Sequence, residues 1–406
     1  MKPEKEKMTR LHRYVILAGC GLIGTCLGLG VNASGLFFTA VAADLHCGRG
    51  SAAATLTVYS LMHAFVGMIA PTALERFGLK KTVFFGTLLQ VGSIFLLSLC
   101  SNIYGLWGLH VLRGTAAGLI GTVSVTILIN EWFHKDNALM TSIVIGFSGI
   151  AGALVSPLFS SIILNHGWRM GYRAMAGLAL LFHLPALLLP ISLKPEEIGA
   201  SPYGENAASS EAEANEDAGP VSKRIYCLVL LYGVCASAVS AFPSHFAGLA
   251  ESLGQASAGA MMVSACMAAN TIGKLLLGKW IDAAGVQRPV TVFCTLVGLS
   301  CLSLLFLRTP PVLILSSGVF GLVFSLTTVA HVVMTRELFG RLRYSELYPL
   351  AALTSTIVYA VFTGLYGVFY DRSGSYGSSL TAAFVLIAVS LLFCVLACRG
   401  KKKTPQ

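Results

Sequence analysis

The chain of 406 residues is 55% hydrophobic and only 11% charged, and its formal net charge is +10. Soluble domains carry about 25% charged residues, so this composition excludes an ordinary soluble globular protein. A basic chain could also bind nucleic acid, but the placement of the positive residues indicates a membrane protein instead.

Twelve apolar stretches are each long enough to cross a bilayer, which takes about 20 residues of helix. They are rich in Gly, Ala and Ser, the small residues that let helices pack closely in lipid. We therefore predict an all-α membrane protein with twelve transmembrane helices. The predicted spans are 14–43, 51–74, 82–101, 104–130, 137–164, 170–193, 224–248, 258–282, 289–308, 311–335, 345–369 and 377–398.

Lys and Arg are distributed unevenly between the two sides that these spans define. With both termini in the cytoplasm, 21 of the 28 basic residues lie in cytoplasmic segments and five lie in outer loops. This asymmetry follows the positive-inside rule. We predict an integral multi-pass protein of the plasma or inner membrane with both termini cytoplasmic and the basic ends near anionic lipid headgroups.

One long polar stretch divides the spans into six and six. Residues 194–223 are acidic and rich in Gly, Pro and Ser, a composition typical of a flexible linker. We predict a six-helix bundle over 1–193, a cytoplasmic linker over 194–223, and a second six-helix bundle with a basic tail over 224–406.

The two halves carry matching cytoplasmic loops. "PTALERFGLKK" (71–81) follows the second span and "GKWIDAAGVQR" (278–288) follows the eighth. Each ends an apolar helix with an acid and places a Gly three residues later, and both pairs are 207 residues apart. This equal offset indicates two structural repeats, as in many transporters. Such loops can hold a cytoplasmic gate closed, and the candidate gating residues are Glu75, Arg76, Gly78, Asp282 and Gly285.

Motifs for enzyme chemistry are missing from the chain. It has no nucleotide-binding P-loop and no nucleophile elbow, and its eleven cysteines form no CxxC pair. We therefore expect no enzyme activity, no cofactor and no metal site.

Several stretches together resemble the major facilitator superfamily, and within it the branch of oxalate/formate antiporters and monocarboxylate transporters. The two repeated loops are similar to the signature motif of the superfamily, with Glu75 replacing its usual Asp. The branch is indicated by "SGLFFTAVAADLHCGRGSAA" (34–53), "NEWFHKDNALMTSIVIGFSGIAGALVSPL" (130–158), "GWR" (167–169), "KPEEIGASPYG" (194–204), "RELFG" (336–340) and "FYDRSGSYGSSL" (369–380). The resemblance implies two six-helix bundles that alternate around a central site, and a small carboxylate as substrate.

Lys274 lies within the eighth span, where an ionisable residue costs several kcal/mol unless it faces water or a partner. It is therefore a candidate for the substrate pathway. Its alternatives are an ammonium that snorkels to the cytoplasmic interface and a structural pair. By resemblance, the cation at this place receives the substrate carboxylate.

Two positions depart from the branch. Asn270 occupies the place of an Asp in some monocarboxylate transporters, and Thr39 that of a Lys in the first helix. The oxalate exchanger's second cation, in helix 11, has no counterpart here, so a monocarboxylate fits better than a dicarboxylate.

Other polar or aromatic residues in the spans are candidates for substrate contact. Arg113 resembles the Arg of the helix 4 motif, and a structural role for it is equally open. The remaining candidates are Asn32, which interrupts the first helix, and Tyr232, His245 and Tyr359 on helices 7 and 11; packing or a satisfied hydrogen bond is the alternative for each.

We therefore expect a transporter of a small organic anion that works by alternating access as a monomer among membrane lipids. All eighteen Asp and Glu residues lie in loops, termini or helix ends, which favours exchange against a counter-substrate over proton coupling. The alternatives are a proton-coupled transporter of a neutral or cationic compound and a membrane sensor that no longer transports.

Overall fold

A computed structural model of the protein describes residues 2–133, 137–189, 192–198, 201–203 and 222–401. These residues are almost entirely helical, and their one β-bridge pairs Phe133 with Tyr203. The α-helices are α1 (Lys2–Asn32), α2 (Gly35–Asp44), α3 (Arg49–Phe77), α4 (Leu79–Leu97), α5 (Ile103–Ile120), α6 (Thr122–Trp132), α7 (Asn137–Leu188), α8 (Lys223–Ser240), α9 (Phe246–Ser252), α10 (Ala256–Ala284), α11 (Gln287–Phe306), α12 (Pro310–Phe320), α13 (Val323–Ser325), α14 (His331–Ser373) and α15 (Gly377–Lys401).

Ten helical stretches in the described ranges are long and apolar enough to cross a membrane. One of these stretches covers two predicted spans, because α7 joins the fifth and sixth across a kink at Gly167. The first predicted span is divided between α1 and the short α2.

The helix boundaries also differ from the prediction between the tenth and eleventh spans. The sequence separates the tenth and eleventh spans by residues 336–344, whereas α14 runs unbroken through them. This stretch is polar enough to leave the membrane, but it contains no Gly or Pro before Gly340, and good helix formers let the helix continue.

Contacts divide the chain into two compact units. Unit 1 comprises Met1–Val31, Val58–Val155 and Ser161–Asn215, and unit 2 comprises Asn32–Thr57, Ser156–Ser160 and Glu216–Gln406. The segments 32–57 and 156–160 thus pack with the C-terminal helices, and the contiguous bundle boundaries read from the sequence stay a prediction.

Glycines in the left-handed region of the backbone recur at the predicted offset. Gly78 and Gly285 have φ of 78° and 72°; Gly78 is the N-cap of α4, directly after α3, and Gly285 is the C-cap of α10. Gly167 and Gly374 have φ of 81° and 70° and are also 207 residues apart. Because L side chains rarely adopt this conformation, these four positions require glycine.

The offset of 207 residues also relates two places where one helix packs closely against another. In unit 1, a Cβ added to Gly114 on α5 would lie 2.5 Å from the carbonyl oxygen of Tyr59 on α3. In unit 2, Gly321 meets the carbonyl oxygen of Cys266 on α10 in the same way. Both pairs are separated by 207, so the two units use one packing arrangement.

A second pair of contacts lies one turn further along these helices. Gly118 on α5 would place a Cβ 2.6 Å from Cβ of Val66, and Gly273 on α10 would place one 2.7 Å from Oγ of Ser325. The offset is again 207, although here the glycine has changed from one helix to the other.

In both units, the regular helical geometry is interrupted shortly after these contacts. The helix pair α5–α6 breaks at Gly121, which is not helical (φ −84°, ψ −147°). In unit 2 the corresponding stretch contains a π-helical turn, Leu326–Ala330, between α13 and α14. Discontinuous helices and π-turns are frequent at binding sites in transporters and other proteins.

The first part of the predicted linker packs on unit 1 and is not free. Residues 192–198 and 201–203, called the strap below, include a 3₁₀ turn at Pro195–Ile198. Trp132 donates from Nε1 to the Ser192 carbonyl at 3.1 Å, and Tyr203 donates from its N–H to the Trp132 carbonyl at 2.9 Å. These contacts hold the described residues of the strap on unit 1, whereas residues 204–221 lie outside the described part of the chain, and the linker bounds 194–223 stay a prediction.

We expect Gly114→Ala to lower the thermal unfolding midpoint of the detergent-purified protein. The new methyl group meets backbone, which cannot rotate away, and overpacking of this kind costs about 1–3 kcal/mol. The matched control is Gly108→Ala on the same helix, where a Cβ would meet nothing within 4 Å. Equal midpoints for the two variants would show that α3 and α5 are not in close contact.

Candidate functional site

Lys274 lies in the interior of α10 and is only partly exposed. Among the residues that the structure describes, its ammonium has no hydrogen-bond or ion-pair partner. Burial of a charge without a partner is unfavourable, so this site is suited to an anion from outside the chain.

Two polar atoms without partners lie beside Lys274. Asn270, one turn earlier on the same face of α10, is buried, and its Oδ1 finds no donor in the described ranges. Ser325 is also buried and likewise lacks a partner for Oγ there, and it contacts α10 at Gly273. Helix geometry places residues 270 and 274 together, and Ser325 faces them at the start of the π-turn.

Tyr232, next to this site, already makes a hydrogen bond within the protein. Its side chain is fully buried, and its hydroxyl donates to the Leu326 carbonyl at 3.1 Å. The π-turn frees that carbonyl from the regular helical pattern. Tyr232 can therefore contact a substrate only by giving up this bond.

Asn32 and Tyr359, the other polar candidates of unit 2, are both half-buried. Asn32 ends α1 before the break at residues 33–34, and Tyr359 lies on α14, where its carbonyl accepts from Thr363 Oγ1 at 2.9 Å. Neither is in contact with Lys274 in any interaction that the structure defines.

Arg113 lies in unit 1 and is completely buried. Its guanidinium lies 5.0 Å from the ring centroid of Tyr59, 3.3 Å from Nε2 of His110 and 3.6 Å from Sδ of Met175. The Tyr59 hydroxyl has no hydrogen-bond partner in the described part of the chain. This arrangement provides a second cation, in a polar and aromatic surrounding.

The predicted cytoplasmic gating residues are at the surface. Glu75, Arg76 and Asp282 are exposed, and Gly78 and Gly285 provide the turns described above. Neither carboxylate is engaged with any described residue, so a gate made by these acids is not formed in this structure.

A polar cluster of unit 2 was not predicted from the sequence. Asp371 accepts from the backbone N–H groups of Arg49 and Gly50, each at 2.8 Å, and so caps the first turn of α3. An anion is favoured at a helix N-terminus because of the free N–H groups and the helix dipole. The contact joins α3 to the end of α14, two elements separated by more than 300 residues.

The side chain of Arg49 extends this cluster. Its guanidinium lies 4.1 Å from the ring centroid of Tyr370 and donates to the Gly248 carbonyl at 3.1 Å. It also lies 4.0 Å from the exposed carboxylate of Glu251. Arg49, Gly248, Glu251, Tyr370, Asp371 and Tyr376 form what we call the Asp371 cluster.

Tyr376 links the cluster to His245. Burial raises the pKa of Tyr376 to about 12, although Arg49 acts in the opposite direction, so the phenol keeps its proton at neutral pH. It accepts from Arg49 at 3.5 Å and can donate to Nδ1 of His245 at 3.4 Å, while Nε2 of His245 donates to the Thr363 carbonyl at 2.8 Å. His245 is thus hydrogen-bonded through both nitrogens and belongs with this cluster instead of with Lys274.

Glycines allow the close approach around Asp371. A Cβ on Gly50 would lie 2.7 Å from Cγ2 of Val368, and one on Gly367 would lie 2.6 Å from Cα of Gly50. The sequence signal for this site was "DRSGSY", a polar stretch with an acid at the end of an apolar span. Its partner in "GRGS" could not be identified from spacing alone.

No group of three or more His, Cys, Asp or Glu residues in the described ranges is arranged to hold a metal ion. Of the three polar sites described above, those around Lys274 and Arg113 are cationic.

Comparison with known proteins gives relatives of low identity that match most of the chain. Mouse "Monocarboxylate transporter 12" is 23% identical over 94% of this chain and 83% of its own length. The "MFS-type transporter pynF" of Aspergillus niger is 24% identical over 79% of this chain and 72% of its own.

Solved structures show the same fold. A mutant of the nucleoside transporter NupG superposes with a TM-score of 0.71 at 14% identity and covers 96% of this chain and 99% of its own. A D-xylose-proton symporter gives a TM-score of 0.69 at 13% identity, covering 94% of this chain and 96% of its own.

The model of the family described as "Major Facilitator Superfamily" matches residues 20–341, which is well over half of the chain. The match, the helical architecture and the neighbours together confirm the predicted twelve-helix fold. They also confirm the prediction that the protein is not an enzyme. The chain therefore belongs to the Major Facilitator Superfamily, and it is a multi-pass membrane transporter.

Proposed function

We propose that the protein transports a small monocarboxylate by alternating access, and that Lys274 receives the carboxylate. The observation that carries this proposal is the ammonium of Lys274, which lies inside an apolar helix without a partner among the described residues. An ammonium is a compact point charge that can bind a carboxylate, although it lacks the two-pronged geometry of Arg.

The groups next to Lys274 favour an anionic substrate that has polar atoms besides its carboxylate. Asn270 and Ser325 leave one buried acceptor and one buried hydroxyl unsatisfied beside the ammonium. A buried polar atom without a partner costs about 1–3 kcal/mol, and a bound substrate that satisfies it recovers this cost. Substrate binding and local stability are therefore coupled at this site.

The relatives support the same class of substrate. Three further proteins among those similar to this chain carry the name monocarboxylate transporter, from rat and chicken. Their names describe those proteins, and at 22–26% identity they support a monocarboxylate here only together with the cation on α10.

Arg113 is proposed as a second attractant for the anion or as a gating residue of unit 1. Its guanidinium already contacts Tyr59 and His110. A carboxylate that reached it would bind both the guanidinium and the free hydroxyl of Tyr59, which gives a more directional contact than Lys274 offers.

Two gates fit the proposed cycle. With both termini in the cytoplasm, the Asp371 cluster lies at the outer ends of the helices and is closed here. Glu75 and Asp282 lie at the cytoplasmic ends, and their carboxylates are unpaired among the described residues. Opening the outer side then requires Asp371 to leave the first turn of α3, while Glu75 and Asp282 gain partners.

Exchange of one anion for another is the proposed mode, since the predicted spans contain no carboxylic acid away from their ends to carry a proton. One observation favours proton coupling as a second candidate. His331 is buried, and Nε2 of its ring has no hydrogen-bond partner in the described part of the chain. A pH gradient that drives uptake without any internal anion would support this second candidate.

We expect Lys274→Gln to reduce uptake of labelled monocarboxylates into proteoliposomes by about tenfold or more, because one lost charge-assisted contact is worth about 1.5–3 kcal/mol. The assay compares vesicles with and without internal carboxylate, and trans-stimulation identifies exchange. The matched control is Lys279→Gln at the exposed end of the same helix. Normal uptake by Lys274→Gln would mean that the ammonium snorkels or pairs elsewhere.

We expect Asp371→Asn to open the outer gate more often. An amide provides one acceptor oxygen for two N–H groups and removes the charge at the start of α3. A cysteine introduced at the buried Ser244, with Cys47 and Cys100 replaced by Ser, should then react severalfold faster with an impermeant maleimide. Glu251→Gln is the control, because its long, exposed ion pair contributes little. Unchanged labelling of the Asp371→Asn variant would contradict a gate at this cluster.

A further inference from the structure

Unit 1 contains an apolar groove whose lining includes none of the candidate site residues described above. It runs between α4 and the last part of α7 and has a volume of about 690 Å³. Its walls include Phe84, Leu88 and Phe95 on α4 and Leu180 and Leu184 on α7, all of which are about half exposed or more. A groove with these walls on a membrane-spanning helix pair is open to lipid.

Two glycines keep the groove open. Gly92 on α4 and Gly177 on α7 both line it, and a Cβ added to either would meet nothing within 4 Å. Close helix packing explains the glycines at Gly114 and Gly321, but it does not explain these two. Their effect is to leave space that larger side chains would fill.

The dimensions fit one extended chain. Phe84 and Phe95 are eleven residues apart on α4, which corresponds to about 16 Å. This is close to half of a hydrocarbon core of about 30 Å. Volume divided by length gives a mean cross-section of about 43 Å², which leaves room for one extended chain along this length.

A cation stands at one end of the groove. Arg173 lines it and is exposed, and the one acceptor that the described residues give it is Oγ of Ser98, 3.4 Å from its Nε. Arg169, one turn earlier, is already engaged by the Cys100 carbonyl and the Trp168 ring. Tyr172 and Trp168 at this level are typical of the membrane interface, where headgroups lie.

We propose that this groove binds one acyl chain of an anionic phospholipid, whose phosphate pairs with Arg173. The apolar walls take the chain, and the guanidinium presents its free N–H groups to the headgroup phosphate, a geometry that Arg supports well. In the predicted orientation the lipid belongs to the outer leaflet. The inference does not depend on the substrate or on Lys274.

The test is native mass spectrometry of the full chain, released from micelles with equal amounts of phosphatidylglycerol and phosphatidylcholine of identical acyl chains. The wild type should retain one molecule of phosphatidylglycerol in preference to phosphatidylcholine. Gly92→Leu/Gly177→Leu fills the groove and should lose that lipid. Gly108→Leu, an open glycine outside the groove, is the matched control and should retain it.

Arg173→Gln separates the two parts of the proposal and carries little risk of misfolding, because the side chain is exposed. It should keep one lipid but lose the preference for phosphatidylglycerol. Retention of the lipid by the filled variant would overturn the site, and an unchanged preference in Arg173→Gln would overturn the role of the headgroup. A dimer mass that disappears in the filled variant would identify a second copy as the occupant and would also overturn the proposal.

Discussion

The close approach of helix backbones at glycine is the constraint on which both units depend. In lipid, no hydrophobic force draws helices together, so they associate through van der Waals contact that small residues make possible. Gly114 against Tyr59 and Gly321 against Cys266 bring one helix onto the backbone of another at equivalent places in the two units. The helices continue from these contacts to the break at Gly121 and to the π-turn at Leu326–Ala330. The packing thus fixes where the helices are irregular, and the irregular turns lie where polar groups face the interior.

The polar chemistry of unit 2 follows from this arrangement. The π-turn directs the Leu326 carbonyl to Tyr232 and leaves Ser325 facing α10 beside Asn270 and Lys274. At the other end of the same unit, Asp371 accepts from the N–H groups in the first turn of α3, and the Arg49 side chain lies on the Tyr370 ring and donates to the Gly248 carbonyl. Unit 2 therefore contains polar groups beside Lys274 that lack partners, as a site for a ligand requires. It also contains the Asp371 cluster, whose groups are paired, as a closed gate requires.

Much of the fold could be read from the sequence because its signals are local or regular. The long apolar stretches identified the helices, and the equal spacing of Glu75 and Asp282 revealed a repeat that Gly167 and Gly374 also follow. Lys274 could be singled out because a charge in an apolar helix is costly. The Asp371 cluster could not, since it joins residues more than 300 positions apart through backbone N–H groups that have no signature in composition. The roles of His245 and Tyr232 depend on the partners that packing gives them, so their residue type alone suggested a substrate contact.

The strap has a consequence for how the chain could be divided. Ser192 and Tyr203 are both bonded to Trp132, and the Arg13 guanidinium lies 5.2 Å from the Tyr203 ring centroid, so the strap is part of the N-terminal half. The covalent connection to α8 consists of residues 204–222 alone. Two separately translated fragments divided within 204–221 would keep every described contact of the strap in the first fragment. A division at residue 193 would instead move Tyr203 to the second fragment and take its N–H group away from the Trp132 carbonyl. The position at which the chain is best divided is therefore about ten residues beyond the end of the last apolar span of the first half.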